Sequence, residues 1–341
     1  MDPKYREIEK YIEQLILTGK ILPGDKLPSE NSLAKKFNTT RMTVRKAFDE
    51  LESIGLITKV QGVGTFVSEI NVFAHKRVGL LINNKRIMYG AVNFLSSVGT
   101  KMFSLQKGVN EKEEEKALDD LLSKEIDGLI IEPSEYSIRN KLLKELIKSR
   151  FPIVFVDRNI PLDDDIPTVM TDNFAGGRLL ARHMKKSHRV DSALFVTAEE
   201  LTISSVEERY KGISKELGYS PHIVRIDRID GDYSPLVNEV QLRNAKCVFF
   251  CNDMLAVRGL FYLVEGGFRI PEDISVTGFD DEYVSSITRP KLTTVKQDLT
   301  KIGEVGASVL MSIIKGEKVK SRYLVGVELV VRESCGCPSE E

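Results

Sequence analysis

Arg41, Thr43 and Arg45 stand two residues apart in the stretch TTRMTVRKAFDELESIGLI, residues 39–57. A guanidinium presents a planar fork of donors that matches guanine edges and phosphates, and threonine serves well on phosphate oxygens. Val44, Ala47, Phe48, Leu51 and Ile54 recur in the same stretch at helical spacing, which puts the cations on other faces of one amphipathic helix. Taken alone, such a helix is more simply a solvated basic face. Local charge sharpens the reading, because residues 31–46 hold five basic residues, Lys35, Lys36, Arg41, Arg45 and Lys46, and no acidic one. A patch of this kind attracts a phosphate backbone even though the chain carries a formal net charge of only -1.

A second set of polar groups follows apolar runs. Asp157 and Arg158 come after PIVFV, Asn252 and Asp253 after VFFC, and Asp280 and Asp281 after ISVTGF, while Arg209 lies in SSVEERYKG and Gln297 in TTVKQD. Planar charged and amide groups hydrogen-bond the adjacent hydroxyls of a sugar. A lone charge at a strand end is ordinarily a solvated loop residue, so the weight rests on several recurring together. Asp280 and Asp281 suggest acid-base chemistry, but neighbours in sequence do not flank a scissile glycosidic bond. No activated-nucleophile, zinc or phosphate-loop motif occurs, and an enzyme is not expected. Cys247 and Cys251 lie in an apolar segment and Cys335 and Cys337 in the tail. A disulfide framework is not expected. Two tail thiols without histidine or further cysteine nearby are too few for a metal, so neither metal nor cofactor is expected.

The elements that must position these groups follow in order. Residues 4–18 place Ile8, Ile12, Leu15 and Ile16 at helical spacing before a stop at Gly19, and ILPGDKLPSE, with Pro23 and Gly24, breaks the pattern. Ser29 can cap a helix over residues 30–37. The turn NTT leads to the arginine-bearing helix, with Gly55 available to end it; two β-prone runs, 56–60 and 65–67, then flank a glycine-bearing turn. Farther on, apolar strands such as VGLLI, KMFSL, DGLII, PIVFV, SALFVTA, KCVFFCN and ISVTGFD alternate with amphipathic helices, and the rhythm restarts after DDDIPTVMTDN. This predicts an α/β fold with parallel sheets in two lobes, whose ligands sit past the carboxyl ends of strands. The 341 residues, 42% hydrophobic and 29% charged, suit two or three compact soluble units. No run approaches the ~18 apolar residues of a membrane span. The opening MDPKYREIEKYIEQL is charged from its start, unlike a secretory signal, and a cytoplasmic protein is expected.

The string KILPGDKLPSENSLAKKFNTTRMTVRKAFDELESIGLITKVQGVGTFV resembles, nearly position by position, the winged helix-turn-helix of GntR-type bacterial transcription regulators. The proline-glycine-led PSE helix, the threonine-Arg-x-Thr-Val-Arg recognition helix and the Gly-x-Gly-Thr-Phe-Val wing all occur, over residues 4–67. In such a module the recognition helix enters the major groove. The resemblance implies Glu30, Arg41, Thr43 and Arg45 at double-stranded DNA and Gln61, Gly62 and Gly64 at the wing tip, with Lys4, Asn31, Lys36, Thr40 and Lys46 as further DNA-binding candidates. Asn31 departs from the pattern, since many members carry arginine there.

Residues 76–333 resemble the LacI/GalR-type sugar-sensing domain through DGLII, PIVFVDR, TDNFAGGRLLARHM, SSVEERYKG, CNDMLAVRGL, IPEDISVTGFDD, RPKLTTVKQD and LVVRES. That domain is similar to periplasmic sugar-binding proteins, with two lobes and a cleft. The resemblance implies hydroxyl contacts from Arg209, Asn252, Asp280 and Gln297, and next from Asp157 and Arg158. Asp172 and Asn173 also match, either as contacts or as shapers of the helix that follows, and His183 is read as a structural hydrogen-bonding group. The departure is after VGLLI, where the next strand arrives in fewer residues than in the family, and Lys85 or Tyr89 would substitute there. Expected boundaries are 1–68 for the DNA-binding domain, 69–76 for a linker without a LacI-type hinge helix, and 77–338 for an effector-binding and dimerisation domain. A GntR-type reader joined to a LacI-type sensor is similar to the bacterial repressors of arabinose utilisation. It implies a homodimer released from a palindromic operator by a sugar, L-arabinose first; the alternatives are a regulator for another sugar and a non-regulatory sugar-binding protein.

Overall fold

The computed structural model describes residues 3–17, 20–22, 24–68, 76–106, 108, 110–134, 136–162, 165–188 and 190–337. The expected stop at Gly19, the breaker Pro23, residue 338 and all of the 69–76 linker except Lys76 lie outside the described residues. Three helices open the chain: α1 (Lys4–Leu17), α2 (Glu30–Lys36) and α3 (Arg41–Ser53). Ile8, Ile12 and Ile16 of α1, Leu33 of α2, and Val44, Ala47, Phe48 and Leu51 of α3 are buried in one core. Their three- and four-residue spacing is what puts one stripe of each helix inward. Ser29 and Thr40 start α2 and α3 by accepting the backbone N–H of Ser32 and Thr43. Ile54 departs from the expected apolar face: the helix ends at Ser53, and Ile54 is 38% exposed. β1 (Ile57–Val60) and β2 (Gly64–Val67) then pair antiparallel, with Val60 opposite Gly64 around a three-residue turn.

By contacts the chain divides into two compact units, Met1–Val156 with Pro161–Thr168 and Gly303–Ser321, and Asp157–Ile160 with Val169–Ile302 and Arg322–Glu341. In the first unit β3 (Arg77–Leu81), β4 (Lys101–Leu105), β5 (Gly128–Ile131) and β6 (Ile153–Val156) alternate with α4 (Lys85–Ser97), α5 (Glu111–Leu122) and α6 (Lys141–Lys148). The strands run parallel in the order β6-β5-β3-β4. Chain order reverses between β3 and β5, and in open α/β sheets ligands bind beyond such a switch point. Glu132, just past β5, accepts the backbone N–H of Asn83 and Asn84 at 2.8 Å each, and Asn84 caps α4.

The second unit follows β7 (Thr168–Thr171) with α7 (Asn173–His188), β8 (Ala193–Thr197), α8 (Ser204–Leu217), β9 (His222–Arg225), α9 (Ser234–Arg243), β10 (Cys247–Phe250), α10 (Asp253–Glu265) and β11 (Ser275–Thr277). Its parallel sheet has the order β11-β10-β8-β9, with the switch point between β8 and β10. Leu194, Phe195, Val248, Phe249 and Val276 are fully buried, as strands covered on both faces require. A short α11 (Tyr283–Ile287), β12 (Thr294–Gln297), α12 (Leu299–Ile314), β13 (Arg322–Val325) and β14 (Val327–Val330) complete the chain, with β12 and β14 antiparallel. The sequence alternation does not resolve β7, α11, α12 or β12–β14.

α7 and α8 touch backbone to backbone. A Cβ on Gly177 would lie 2.3 Å from the Arg209 carbonyl oxygen, and one on Gly212 would lie 2.2 Å from that of Phe174. Gly212→Ala therefore forces the helices apart. Alanine gains about 1 kcal/mol over glycine within a helix, but a backbone oxygen cannot yield without moving its helix. A net loss of about 1–3 kcal/mol is expected, measured as a lower urea midpoint for the second unit; an unchanged midpoint would contradict the packing.

Candidate functional site

The N-terminal helices and hairpin enclose a groove of about 740 Å³, lined among others by Glu30, Asn31, Arg41, Arg45, Gln61 and Gly62. Thr40 and Thr43 sit at the start of α3, their hydroxyls 3.0 Å apart. Glu30 opens α2 and meets both arginines: Arg41 Nε donates to its Oε2 at 2.5 Å, and Arg45 Nε lies 3.4 Å from its Oε1. Those hydrogen bonds, Arg41's foremost, hold the Glu30 carboxyl below the usual carboxylate range. Two flexible cations are thereby aimed into one groove. Gln61 and Gly62 form the hairpin tip, and Gly64 begins β2. Met42, which sequence reasoning did not single out as a contact, is 69% exposed next to Arg41, where its apolar side chain can meet a thymine methyl.

Three basic candidates are otherwise engaged. Lys36 places its ammonium 3.7 Å from the centre of the Tyr11 ring and hydrogen-bonds the Tyr11 hydroxyl. Lys46 lies 4.1 Å over Tyr5, and Lys4 pairs with Glu7 at 3.0 Å. These contacts tie α2 and α3 to α1 or brace α1 itself.

In the second unit Arg209 is only 8% exposed. Its Nε donates to Asn173 Oδ1 at 2.8 Å and its Nη1 to the Cys251 carbonyl at 2.6 Å. The guanidinium lies 3.8 Å over the Phe279 ring, and Nη1 is 3.5 Å from Asp280 Oδ1. Gln297 Nε2 donates to the same Asp280 oxygen at 2.5 Å, while Gln297 Oε1 accepts from the Thr171 hydroxyl at 2.5 Å. Five planar or hydroxyl groups thus form one network beside the β8/β10 switch point, where Cys251 follows β10. Burial pushes the Asp280 carboxyl up to about 6, against the lowering pull of Arg209 and Gln297.

The remaining effector candidates are placed differently. Asn252 caps α10, its Oδ1 accepting the Leu255 N–H at 2.9 Å. Arg158 bonds Asp157 at 3.2 Å and Glu199 at 3.4 Å. Asp172 caps α7 through the Ala175 N–H at 2.9 Å, whereas buried Asn173 holds Arg209. Lys85 and Tyr89 belong to the first unit; both are exposed on α4, Lys85 as its first residue. Sequence reasoning does not find Phe279, Thr171 or Asp253 as supports. Asp253 is fully buried and accepts the Thr294 hydroxyl at 2.6 Å and the Glu282 N–H at 2.8 Å, which fixes the loop carrying Asp280.

One expectation is corrected in the tail. Cys335 and Cys337 do not stand apart from histidines: His183 and His188 of α7 lie beside them, and the four donor atoms are all within 4.8 Å of one another. His183 and His188 are far from the thiols in sequence and close only in the fold.

Residues 4–67 match the bacterial regulatory proteins of the gntR family, and residues 181–335 match the periplasmic binding protein-like domain. The arabinose metabolism transcriptional repressor of Halalkalibacterium halodurans is 29% identical, over 98% of this chain and 95% of that protein. The protein of that name from Geobacillus stearothermophilus is 27% identical, over 97% of each. Among solved structures, a periplasmic binding protein/LacI transcriptional regulator from Alkaliphilus metalliredigens complexed with D-xylulofuranose aligns with a TM-score of 0.62 at 22% identity, covering 76% of this chain and 99% of that one.

Burial raises the Asp253 carboxyl to about 7 from an ordinary value of 3.8, and the neighbouring Asp280 charge adds to the rise. A carboxyl raised on folding binds its proton more tightly in the native chain. Its contribution to stability is whole below about pH 4 and is lost as the pH climbs through about 7. Glu216, lowered to about 2 chiefly by Arg182, acts in the opposite sense, but its contribution is already complete near pH 5. The Tm of the second unit should therefore fall between about pH 5 and pH 8, and Asp253→Asn should flatten that fall. An identical slope in the variant would show that Asp253 does not titrate in this range.

Proposed function

For a chain that joins a gntR-type winged helix-turn-helix to a LacI-type, periplasmic-binding-protein-like domain, we propose a sugar-responsive transcriptional repressor that binds operator DNA as a homodimer and is released by L-arabinose. The observation that carries the reading is that one chain holds both halves of such a device. Arg41 and Arg45 are oriented by Glu30 in an open groove, and Arg209, Asp280 and Gln297 form a desolvated polar cluster over Phe279. The first arrangement suits base edges and phosphates. In the second, a carboxylate and a guanidinium on an aromatic face suit vicinal hydroxyls and the apolar side of a sugar ring. The near full-length relatives named for arabinose metabolism support L-arabinose over other sugars.

Sugar then favours a state with weaker DNA affinity, and by linkage DNA weakens sugar binding by the same factor. Asp280 serves as an acceptor for sugar hydroxyls while ionised. Asn173, Thr171 and Gln297 orient the charged pair, and Asn252 acts through the start of α10.

Gel-shift titration against the promoter upstream of its own gene tests the reader. Arg41→Ala should weaken the sequence-specific shift by roughly 5–150-fold, the worth of about 1–3 kcal/mol for a bidentate base contact, with sugar binding intact. No specific shift by the unaltered protein at moderate salt would sink the reading. A thermal-shift screen over pentoses and hexoses tests the sensor, since a ligand of the native state raises Tm. L-Arabinose should give the largest rise, and Arg209→Met should abolish it while DNA stays bound at saturating sugar. Normal release of that variant would remove Arg209 from the site.

A further inference from the structure

The strongest unassigned cluster lies at the far end of α7 from Asn173. His183 and His188 come from that helix, and Cys335 and Cys337 from the tail after β14. His183 Nε2 lies 3.4 Å from Cys335 Sγ and 3.8 Å from Cys337 Sγ, and His188 Nε2 lies 3.4 Å from Cys337 Sγ. Around a tetrahedral zinc ion, bonds of about 2.05 Å to nitrogen and 2.3 Å to sulfur put the two ligand types about 3.6 Å apart. The three separations straddle that distance, and the four donor atoms all lie within 4.8 Å of one another, close enough for a small adjustment of the side chains to close a shell. We propose that His183, His188, Cys335 and Cys337 form a tetrahedral site for a divalent zinc ion that fastens the C-terminal tail to α7.

The surrounding chain is built to hold this geometry. Ser334 Oγ accepts the Thr293 N–H at 2.9 Å and donates to the Val276 carbonyl at 2.6 Å. Ser275 Oγ donates to the Cys335 carbonyl at 3.2 Å, so the first thiol is anchored on β11. Gly336, at φ +98°, turns the chain back through a conformation that disfavours a side chain and brings the second thiol round. Cys335 is buried, whereas Cys337 and both imidazoles are half-buried, which leaves an approach for a hydrated ion. Two thiolates and two imidazoles fill a tetrahedral shell with no position left for water, the pattern of a structural site rather than a catalytic one. Thiolate donors also disfavour magnesium and calcium.

Binding expels the two thiol protons and forms two Zn–S and two Zn–N bonds, with no change of oxidation state. The full-length chain, reduced and stripped with chelator, should take up one cobalt(II) per chain. The complex should show the visible absorption of tetrahedral cobalt with thiolate-to-metal charge transfer, and zinc chloride should displace it. Zinc should also raise the Tm of the second unit. Cys337→Ser and His188→Gln, both at half-buried positions, should each weaken uptake more than roughly 100-fold, beyond the usual loss from an outer-shell partner, and remove the zinc-induced rise. Absence of charge transfer in the unaltered chain, an octahedral cobalt spectrum, or undiminished uptake in both variants would each overturn the proposal. The cobalt spectrum of the unaltered chain decides the matter even where a variant does not fold.

Discussion

The second unit depends on one close approach, that of α7 to α8 through Gly177 and Gly212. Helix axes ordinarily stay 8–10 Å apart because side chains intervene. Here the missing Cβ atoms let carbonyl oxygens stand where side chains would be, and the Arg209 carbonyl is one of them. The contact therefore sets the position of Arg209 along and around its helix. Asn173, at the first turn of α7, then meets the Arg209 guanidinium at 2.8 Å. A methyl group at either glycine would change the distance on which that charged hydrogen bond relies.

Holding ionisable groups out of water opposes stability, and the second unit does so repeatedly. Arg209 is buried with two neutral acceptors, an aromatic face and a carboxylate around it, so its charge is spread over several partners. Asp280 has less support, and its carboxyl rises accordingly. Backbone strain lies in the same places: Asp157, Asp280 and Asp281 have φ of +74°, +123° and +53°. Each such residue costs of order 1–3 kcal/mol unless its surroundings compensate. Asp281 is compensated by Arg332 at 2.7 Å and belongs to the scaffold. Asp280 is held by Gln297 and faces Arg209.

Much of this was legible where the governing spacing is local. The faces of α1 and α3 follow from residues three and four apart, and the two caps from single hydroxyls ahead of them. Strand runs such as KCVFFCN were legible because both faces are buried. Ile54 misleads because the apolar period continues one residue past the helix that uses it. Lys36 and Lys46 count in sequence as free positive charge, yet Tyr11 and Tyr5 hold them, and nothing in the spacing reveals a ring on another helix. The histidines and tail thiols are 147 to 154 residues apart, beyond any motif, and only the fold joins them. Gln297 was recognisable by family pattern, but its orientation depends on Thr171, 126 residues away.

Glu30 shows why an acidic residue belongs in a basic groove. On charge alone it reduces attraction for a phosphate backbone, since two arginines and one carboxylate present a net single positive charge. Nonspecific binding, which scales with phosphates neutralised, is correspondingly weaker. The arginines gain defined directions in return, because an arginine side chain otherwise loses about 2 kcal/mol of rotamer freedom when fixed at an interface. Part of that ordering is already present before any partner arrives. On the function proposed above, such a groove gives up general affinity and keeps the contacts that depend on base identity, the balance required amid an excess of competing DNA.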